Sequence, residues 1–255
     1  MKKILCILCI IPVLLCLGAC GKKAQPTSGD IKPKTASVSP NWQKIAEKNE
    51  VKIGVPSLEN NFDNELIDEF ARELNIPVTK ILTKNTDFKT AISDGSIDMY
   101  WGLYPKEAKD SIDYTLSTPY LTTTALLLKN ASSVLTADKE TSVVGAVKNS
   151  PEEIIASDKF ANVKTYNSES EVLEALKAGS IDFASVNNST YEKSKYAESG
   201  QFSEENSSMY NLVIVFKNGY TDVATEADKV LAKVKASGKA SEVCEKWYGK
   251  DLISK

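Results

Sequence analysis

Seven residues lie at or near the ends of predicted elements and are of types suited to holding a small molecule: Trp101, Gly102, Tyr104, Lys106, Asn149, Ser150 and Asn187. Trp101 and Tyr104 follow the first "GSID" at the carboxyl end of a strand pattern, "SIDMYWGL", where aromatic rings can stack on a ligand. Aromatic residues in strands more often pack in a core, so both interpretations stay open. Gly102 lies between them, and Lys106 offers either a point charge to the ligand or a solvated surface group.

The other three candidates lie in the second half of the chain. Ser150 is predicted to cap the helix that "SPEEII" begins, and free N–H groups at a helix N-terminus bind anions. Asn149 precedes Ser150 in the same turn, and the alternative is an ordinary cap without a ligand. Asn187 is a neutral donor and acceptor that either contacts the ligand or caps the next helix, "TYEKSKYAES".

These residues need a scaffold, and hydrophobic periodicity predicts it. "VKIGV" from Val51 predicts a strand, "FDNELIDEFAREL" a helix and "PVTKIL" a second strand. "TDFKTAISDG" predicts a helix that stops at Gly95, a residue type that adopts the left-handed cap readily. "SIDMYWGL" completes a β-α-β-α-β unit.

The same order of elements returns from Ser142. "SVVGAV", "SPEEII", "VKTY", "SESEVLEALKAG" and "SIDFASVN" predict strand, helix, strand, helix and strand, with capping boxes at Ser150 and Ser168. "GSID" therefore occurs at equivalent joints, ending at Asp98 and at Asp182, and we interpret both aspartates as structural residues of that turn. Two such units predict parallel sheets flanked by helices.

Ligands of open α/β sheets bind beyond the carboxyl ends of the strands. Two facing units joined by a hinge would place those ends on opposite walls of one cleft. After the second unit, "NLVIVFK" predicts a strand that returns to the first lobe. Two short helices around Gly238 are predicted to follow it.

The first residues predict export. Lys2 and Lys3 precede an apolar run that is shorter than the ~20 residues of a spanning helix, and small residues follow it. "LGAC" resembles the lipobox of bacterial lipoproteins, which implies a signal peptide over 1–19 and a lipid on Cys20. Residues 20–40, rich in Pro, Ser, Thr and Lys, then predict a flexible tether. We expect a monomer anchored on the extracytoplasmic face of the cell membrane.

Composition excludes several classes of function. The chain has no histidine and a formal net charge of −3. Four of its five cysteines lie within residues 1–20, so Cys244 remains, without an intramolecular disulfide partner. We interpret Cys244 as a small apolar residue on a helix. Metal sites and other cofactors are not expected, and the lack of a basic patch argues against nucleic acid as a partner.

Five segments in order resemble a known family. They are "FDNEL", "GSID…DYTLSTPYLTTTALLL", "VVGAVKNSPEE", "ESEVLEALKAGSIDFASVN" and "SEVCEKWYG". The stretch from Val51 to Gly249 is similar to family 3 extracellular solute-binding proteins, which feed polar amino acids to ABC importers. The resemblance implies a two-lobed periplasmic-binding-protein-like (type II) α/β fold and a receptor without catalysis. It implies a small polar solute as ligand and ABC permease subunits as partners. We predict lobe 1 over 41–129 plus 209–255 and lobe 2 over 130–208.

The chain departs from the family pattern at both charged anchors. The family commonly clamps a carboxylate with an arginine after the third strand, where this chain has "GLYPKEAKD" and the slot falls near Glu107. The chain's single arginine, Arg72, is predicted on a solvated helix face. The aspartate that usually binds an ammonium group is replaced by Asn187. The loss of both charges argues against a free zwitterion and brings an aromatic, amide or less charged solute into consideration.

Two other functions are weighed. A sensor of the same fold would report a solute to a signalling partner without transport. A dehydratase-like enzyme is the remote alternative, and no paired carboxylates or Ser-x-x-Lys motif are predicted at the cleft.

Overall fold

The computed structural model describes residues 40–255. The predicted signal peptide, the lipidation site Cys20 and the tether up to residue 39 lie outside the described residues. Among residues 40–255, no helix has both the length and the apolar character needed to cross a bilayer.

The first repeat has the predicted order of elements. After an opening helix, strands alternate with helices from Val51 onward: α1 (Pro40–Glu47), β1 (Val51–Val55), α2 (Phe62–Leu74), β2 (Val78–Leu82), α3 (Phe88–Asp94) and β3 (Met99–Pro105). α3 ends at Gly95 with a φ of 79°, which confirms the left-handed cap. Asn61 caps α2 by accepting a hydrogen bond from the Asn64 N–H.

A connecting segment leads to the second repeat. It contains a short 3₁₀ helix (Lys109–Asp113), β4 (Thr115–Leu116) and the ten-residue strand β5 (Leu121–Asn130).

The second repeat again matches the predicted order: β6 (Val143–Val147), α4 (Pro151–Lys159), β7 (Asn162–Tyr166), α5 (Glu169–Lys177) and β8 (Phe183–Asn187). Ser150 and Ser168 cap α4 and α5 as predicted. The capping boxes differ in one detail, because the carboxylates of Glu153 and Glu171 reach the N–H of the residue before the cap.

The remaining elements are α6 (Asn188–Tyr191), β9 (Phe202–Phe216), α7 (Thr221–Ala236) and α8 (Lys239–Tyr248). Gly238 separates the last two helices with a φ of 80°, as predicted. β9 begins well before "NLVIVFK" and spans 15 residues. The first half of β9 was not predicted, because its stretch "FSEENSSM" is polar and strand prediction depends on apolar alternation.

The two "GSID" copies perform the same structural task. Asp98 accepts a hydrogen bond from the Lys52 N–H at 2.8 Å, and Asp182 accepts one from the Val143 N–H at 2.8 Å. Each aspartate thereby fixes the third strand of its unit beside the first. The preceding isoleucine packs on a glycine of that first strand, where a Cβ would come within 2.5 Å of the Ile97 or Ile181 side chain.

All strands form one hydrogen-bonded sheet in the order β2-β1-β3-β9-β5-β8-β6-β7, with β4 paired to β9. Within each repeat the strands are parallel, whereas β5 and β9 run antiparallel to each other and to their neighbours. One end of each long strand belongs to the first lobe and the other end to the second. The two-lobed α/β fold is confirmed, with a sheet that is continuous through both connecting strands.

Helices cover both faces of each lobe. In the first lobe, α2, α7 and α8 cover a core that contains Phe70 and Trp101, and α3 covers the opposite core around Phe88 and Tyr100. In the second lobe, α5 packs on one face and α4 on the other. Cys244 is buried on α8 as a small core residue.

Gly145 of β6, on which Ile181 of the second "GSID" packs, gives a test of the repeated joint. We expect Gly145→Ala to lower the free energy of unfolding by about 1–3 kcal/mol, because its Cβ would lie 2.4 Å from Ile181 Cδ1. Ile181→Val removes that methyl group, so the double variant Gly145→Ala/Ile181→Val should lose less stability than the sum of the single variants. Urea unfolding of the three variants measures this coupling, and strictly additive losses would contradict the contact.

Candidate functional site

A cavity of about 700 Å³ lies between the lobes, beyond the carboxyl ends of their strands. Lobe 1 contributes apolar and aromatic residues, namely Leu103, Leu121, Leu212 and Tyr248. Lobe 2 contributes the first turns of α4 and α5, with Ser150, Pro151, Glu152, Glu169 and Ser170. The crevice predicted from the two repeats is therefore present, and both lobes wall it.

Glu152 is the buried carboxylate of this cavity. It occupies the second position of α4, and only 6 % of the residue is exposed. Its Oε1 accepts hydrogen bonds from the Tyr210 hydroxyl at 2.5 Å and from Asn187 Nδ2 at 3.2 Å. Among residues 40–255, no lysine or arginine forms an ion pair with it.

Glu169, at the start of α5, brings a second carboxylate to the same cavity. Burial raises the pKa of the Glu169 carboxyl to about 7, and the nearby Glu152 charge raises it further, while the Thr190 hydroxyl that donates to it acts in the opposite direction. Near neutral pH this group is therefore partly protonated. The sequence predicted no paired carboxylates at the cleft, and that prediction was wrong.

Asn187 connects the strand end to both sides of the site. Its Nδ2 lies 2.9 Å from the Tyr210 hydroxyl and 3.3 Å from Thr123 Oγ1, besides its contact with Glu152. Its Oδ1 accepts from the Ser189 N–H and so caps α6. The two interpretations of Asn187 are compatible, because one end of the amide caps a helix while the other faces the polar cluster at the cavity.

A second cavity of about 260 Å³ adjoins the first and shares Leu103, Thr190 and Tyr248 with it. Burial raises the pKa of the Asp63 carboxyl to about 7. The Tyr120 hydroxyl, which donates to this carboxyl at 2.9 Å, and the nearby Trp101 indole both lower the pKa, but by less than burial raises it. Three buried polar atoms of its lining residues have no hydrogen-bond partner of normal geometry: Asn64 Oδ1, Trp101 Nε1 and Trp247 Nε1.

The backbone between these two cavities is strained. Leu103 has a φ of 57°, in the left-handed region that a side chain with a Cβ rarely adopts. The pairing of β3 with β9 also shifts register between Tyr100 and Tyr104. This irregularity places Leu103 at both cavities, and strain of this kind typically persists at ligand sites.

A third cavity of about 340 Å³ lies on the other side of β3. There the Tyr104 hydroxyl donates to Asp110, which also pairs with Lys89 at 2.6 Å. The lobes contact each other around it, since Asn85 Nδ2 donates to the Asn149 carbonyl at 2.7 Å and the Lys109 N–H to Asp158 at 2.9 Å.

The predicted site residues are distributed over these cavities. Ser150 and Asn187 line the first cavity, Trp101 the second, and Gly102, Tyr104 and Asn149 the third. Trp101 is fully buried in the core of lobe 1 and Tyr104 is nearly so. Lys106 is exposed and lines none of the three cavities. Ligand contact by these residues stays a prediction.

The family's usual charged anchors are replaced as the sequence indicated. Arg72 pairs with Glu69 on the surface of α2, where 66 % of its side chain is exposed. Near the arginine slot, the Glu107 carboxylate accepts from the N–H of Asn211 at 2.9 Å and from its Nδ2 at 2.8 Å. The carboxylate therefore fastens the connection after β3 to β9.

The carboxylates of the cleft were not predicted from the sequence. Asp63, Glu152 and Glu169 looked like ordinary acidic residues in the first turns of helices, which the helix dipole favours. One signal was available: Asp63 and Glu152 both occupy the second position of the first helix in their repeats. An acidic residue repeated at equivalent positions beside the strand ends indicates a shared site.

Comparison with known proteins identifies the family. The model of bacterial extracellular solute-binding proteins, family 3, matches residues 61–250. This chain belongs to that family. A sequence comparison with curated proteins finds no match. As a family 3 solute-binding protein, the chain is a receptor for a small solute, and the family's partner is an ABC transporter.

Solved structures agree on the fold. The arginine-, lysine-, histidine-binding protein ArtJ from Geobacillus stearothermophilus is 18 % identical, with a TM-score of 0.61 over 79 % of this chain and 96 % of that chain. An ABC transporter substrate-binding protein from Streptococcus pneumoniae with bound histidine is 21 % identical, with a TM-score of 0.61 over 84 % and 98 %. An ancestral amino acid-binding protein, a precursor of cyclohexadienyl dehydratase, is 16 % identical, with a TM-score of 0.62 over 81 % and 98 %.

The raised pKa of Asp63 predicts a pH dependence of stability. Its pKa of about 7 in the folded protein exceeds the ordinary 3.8, so the stabilisation from its bound proton is lost as the pH rises through 7. We expect the free energy of unfolding to fall by about 2 kcal/mol more between pH 5 and pH 8 in the native chain than in Asp63→Asn. Denaturant unfolding across this range measures the difference, from which the contribution of Glu169 cancels. Parallel pH profiles would contradict the assignment.

The hydroxyl of Tyr210 gives a second prediction. Tyr210→Phe removes the 2.5 Å hydrogen bond to the buried Glu152, and we expect a loss of about 1–3 kcal/mol in stability. Tyr196→Phe is the matched control, because its hydroxyl donates to Glu174, whose side chain is 49 % exposed. That variant should stay within about 0.5 kcal/mol of the native chain in denaturant unfolding. Equal losses in both variants would show that burial of Glu152 does not matter.

Proposed function

We propose that this protein captures a small polar solute, an amino acid or a related compound, outside the cell and delivers it to an ABC importer. The observation that carries the proposal is the 700 Å³ cavity between the lobes, which has the size of a small-molecule site. Its wall combines an apolar surface with a few polar groups at strand ends and helix starts, as specific ligand sites do.

Contacts between the lobes support recognition of a closed form by the importer. Besides the bonds around the third cavity, Lys193 Nζ donates to the Trp247 carbonyl at 2.9 Å and Lys250 pairs with Glu192 at 2.6 Å. A solute that touches both walls would favour this arrangement over a more open one, because it gains contacts that only the closed form offers. The permease can then distinguish the loaded from the empty receptor.

The neighbours' ligands indicate a class of solute. ArtJ is described as binding arginine, lysine and histidine, and the pneumococcal protein contains histidine. These amino acids carry basic side chains, and the cavity of this chain offers two carboxylates, Glu152 and Glu169. We propose a solute that shares the positive charge.

Binding without catalysis is also part of the proposal. Histidine, the commonest general acid and base, is absent from the chain. Glu169, with its raised pKa, could transfer protons, and the ancestral neighbour is a precursor of a dehydratase. Incubation of the protein with prephenate-like acids, followed by product analysis, should show no turnover, and turnover would support the enzyme instead.

Anchoring through a lipid on Cys20 completes the proposal. A receptor tethered beside its permease benefits from a raised local concentration. Intact-mass measurement of the membrane-extracted protein should show a diacylglyceryl modification on an N-terminal Cys20, and Cys20→Ser should release the chain from the membrane fraction.

Ligand-induced stabilisation tests the receptor function. A bound solute at 100 times its Kd should raise the unfolding free energy by about 2.7 kcal/mol, which thermal unfolding followed by tryptophan fluorescence detects. Ser170→Trp should abolish this shift, because it places a large ring at an exposed position of the cavity lining. Lys177→Trp, on the same helix but outside the cavity lining, should retain it. No shift from any amino acid, amine, amide, sugar or organic acid would contradict the proposal.

A further inference from the structure

The main cavity has an excess of negative charge. Glu152 and Glu169 both line it, and neither forms an ion pair with a lysine or arginine among the described residues. Their hydrogen-bond donors are the neutral groups of Tyr210, Asn187 and Thr190. A buried carboxylate without a countercharge costs several kcal/mol of desolvation. A cationic ligand would offset this cost.

Basic groups of the described residues do not supply that countercharge. Lys195 also lines the cavity, but its Nζ lies 3.1 Å from Glu174 and 4.9 Å from the centre of the Tyr196 ring. Lys193, at the second cavity, donates to the Trp247 carbonyl. Both ammonium groups are therefore directed to other partners.

The same region is unsuited to a carboxylate on the ligand. The chain's single guanidinium is on the surface of α2, and the residue near its usual slot is Glu107, bound to Asn211. At the start of α4, Pro151 has no N–H, and the N–H of Glu153 is taken by Ser150. A ligand carboxylate would meet the charge of Glu152 there without a basic group to bind it.

The rest of the lining fits a hydrocarbon skeleton and an ammonium group. Leu103, Leu121, Leu173 and Leu212 give an apolar wall, and the rings of Tyr210 and Tyr248 can attract a cation. Within residues 40–255, no group of three or more histidine, cysteine, aspartate or glutamate side chains is placed to hold a metal ion. An organic cation suits this lining better than an inorganic one.

The adjoining cavity provides independent evidence of a polar ligand. Asn64 Oδ1, an acceptor of a residue that is 4 % exposed and lines this cavity, has no hydrogen-bond partner. Leaving such a group unpaired costs about 1–3 kcal/mol. Because the two cavities share Leu103, Thr190 and Tyr248, an elongated ligand can extend from the carboxylates of the first cavity into the second.

We propose that the solute is a small organic amine without a carboxylate group, whose cationic end is bound by Glu152 and Glu169. The inference rests on the proposed receptor function and specifies its ligand. It distinguishes this chain from a receptor for a free amino acid, since an amino acid brings a carboxylate that this cleft does not match.

Pairs of compounds that differ by one carboxylate test the inference. Isothermal titration of the full-length chain in mild detergent would compare agmatine with arginine, cadaverine with lysine and histamine with histidine. We expect at least one amine to bind ten times more tightly than its amino acid. Glu152→Gln and Glu169→Gln should each weaken that amine at least tenfold, because the amide keeps the shape and loses the charge.

Glu171→Gln is the matched control, since Glu171 lies on α5 near Glu169 but outside the cavity lining. It should bind the amine as the native chain does. Thermal unfolding of each unliganded variant checks its fold. If Glu152→Gln does not fold, Glu169→Gln still tests the inference, because Glu169 is only half-buried.

Three results would overturn the inference. Tighter binding of the amino acid in each pair that binds, or binding of neutral or anionic solutes in place of amines, would refute the amine and uphold the receptor. Unchanged amine affinity in both glutamine variants would show that these carboxylates do not hold the ligand. No binding from amines, amino acids, amides, sugars or organic acids would refute the receptor function as well.

Discussion

The antiparallel pairing of β5 with β9 is the constraint on which the rest of the structure depends. Each strand adds to the parallel strands of one lobe at one end and continues into the other lobe at the other end. Neither lobe has a complete sheet without both strands. The strand ends of the two repeats therefore face each other across one crevice, and the residues that follow those ends line it.

The repeat explains how the cleft acquired its charge. In both lobes the first helix starts beside the crevice, and its second residue is a buried acid, Asp63 or Glu152. A tyrosine at the long strands donates a hydrogen bond to each: Tyr120 next to β5, and Tyr210 within β9. The scaffold thus presents one carboxylate from each lobe and keeps it dry, which makes the site selective for ligands that can donate hydrogen bonds or carry positive charge.

The lobes differ in what covers them. α7 and α8 belong to the core of the first lobe, where they enlarge the core around Trp101 and bring Trp247 and Tyr248 to the cleft. The second lobe contributes the helix starts and Asn187. In the main cavity, an apolar, aromatic wall of the first lobe consequently faces a polar, acidic wall of the second, and a ligand with a hydrocarbon part and a cationic part fits between them.

The sequence by itself determined the order, type and approximate bounds of most elements in both repeats. It also determined the capping serines, the structural role of Asp98 and Asp182, and the family. These depend on periodicity and on local hydrogen bonds, which involve residues close in the chain. The first half of β9, the continuity of the sheet and the pairing of Glu152 with Tyr210 and Asn187 were decided by the tertiary structure alone. Those contacts join residues far apart in sequence, and a glutamate in the first turn of a helix looks the same whether it faces solvent or a cavity. Which carboxylates lose their water is therefore settled only when the two lobes close around them.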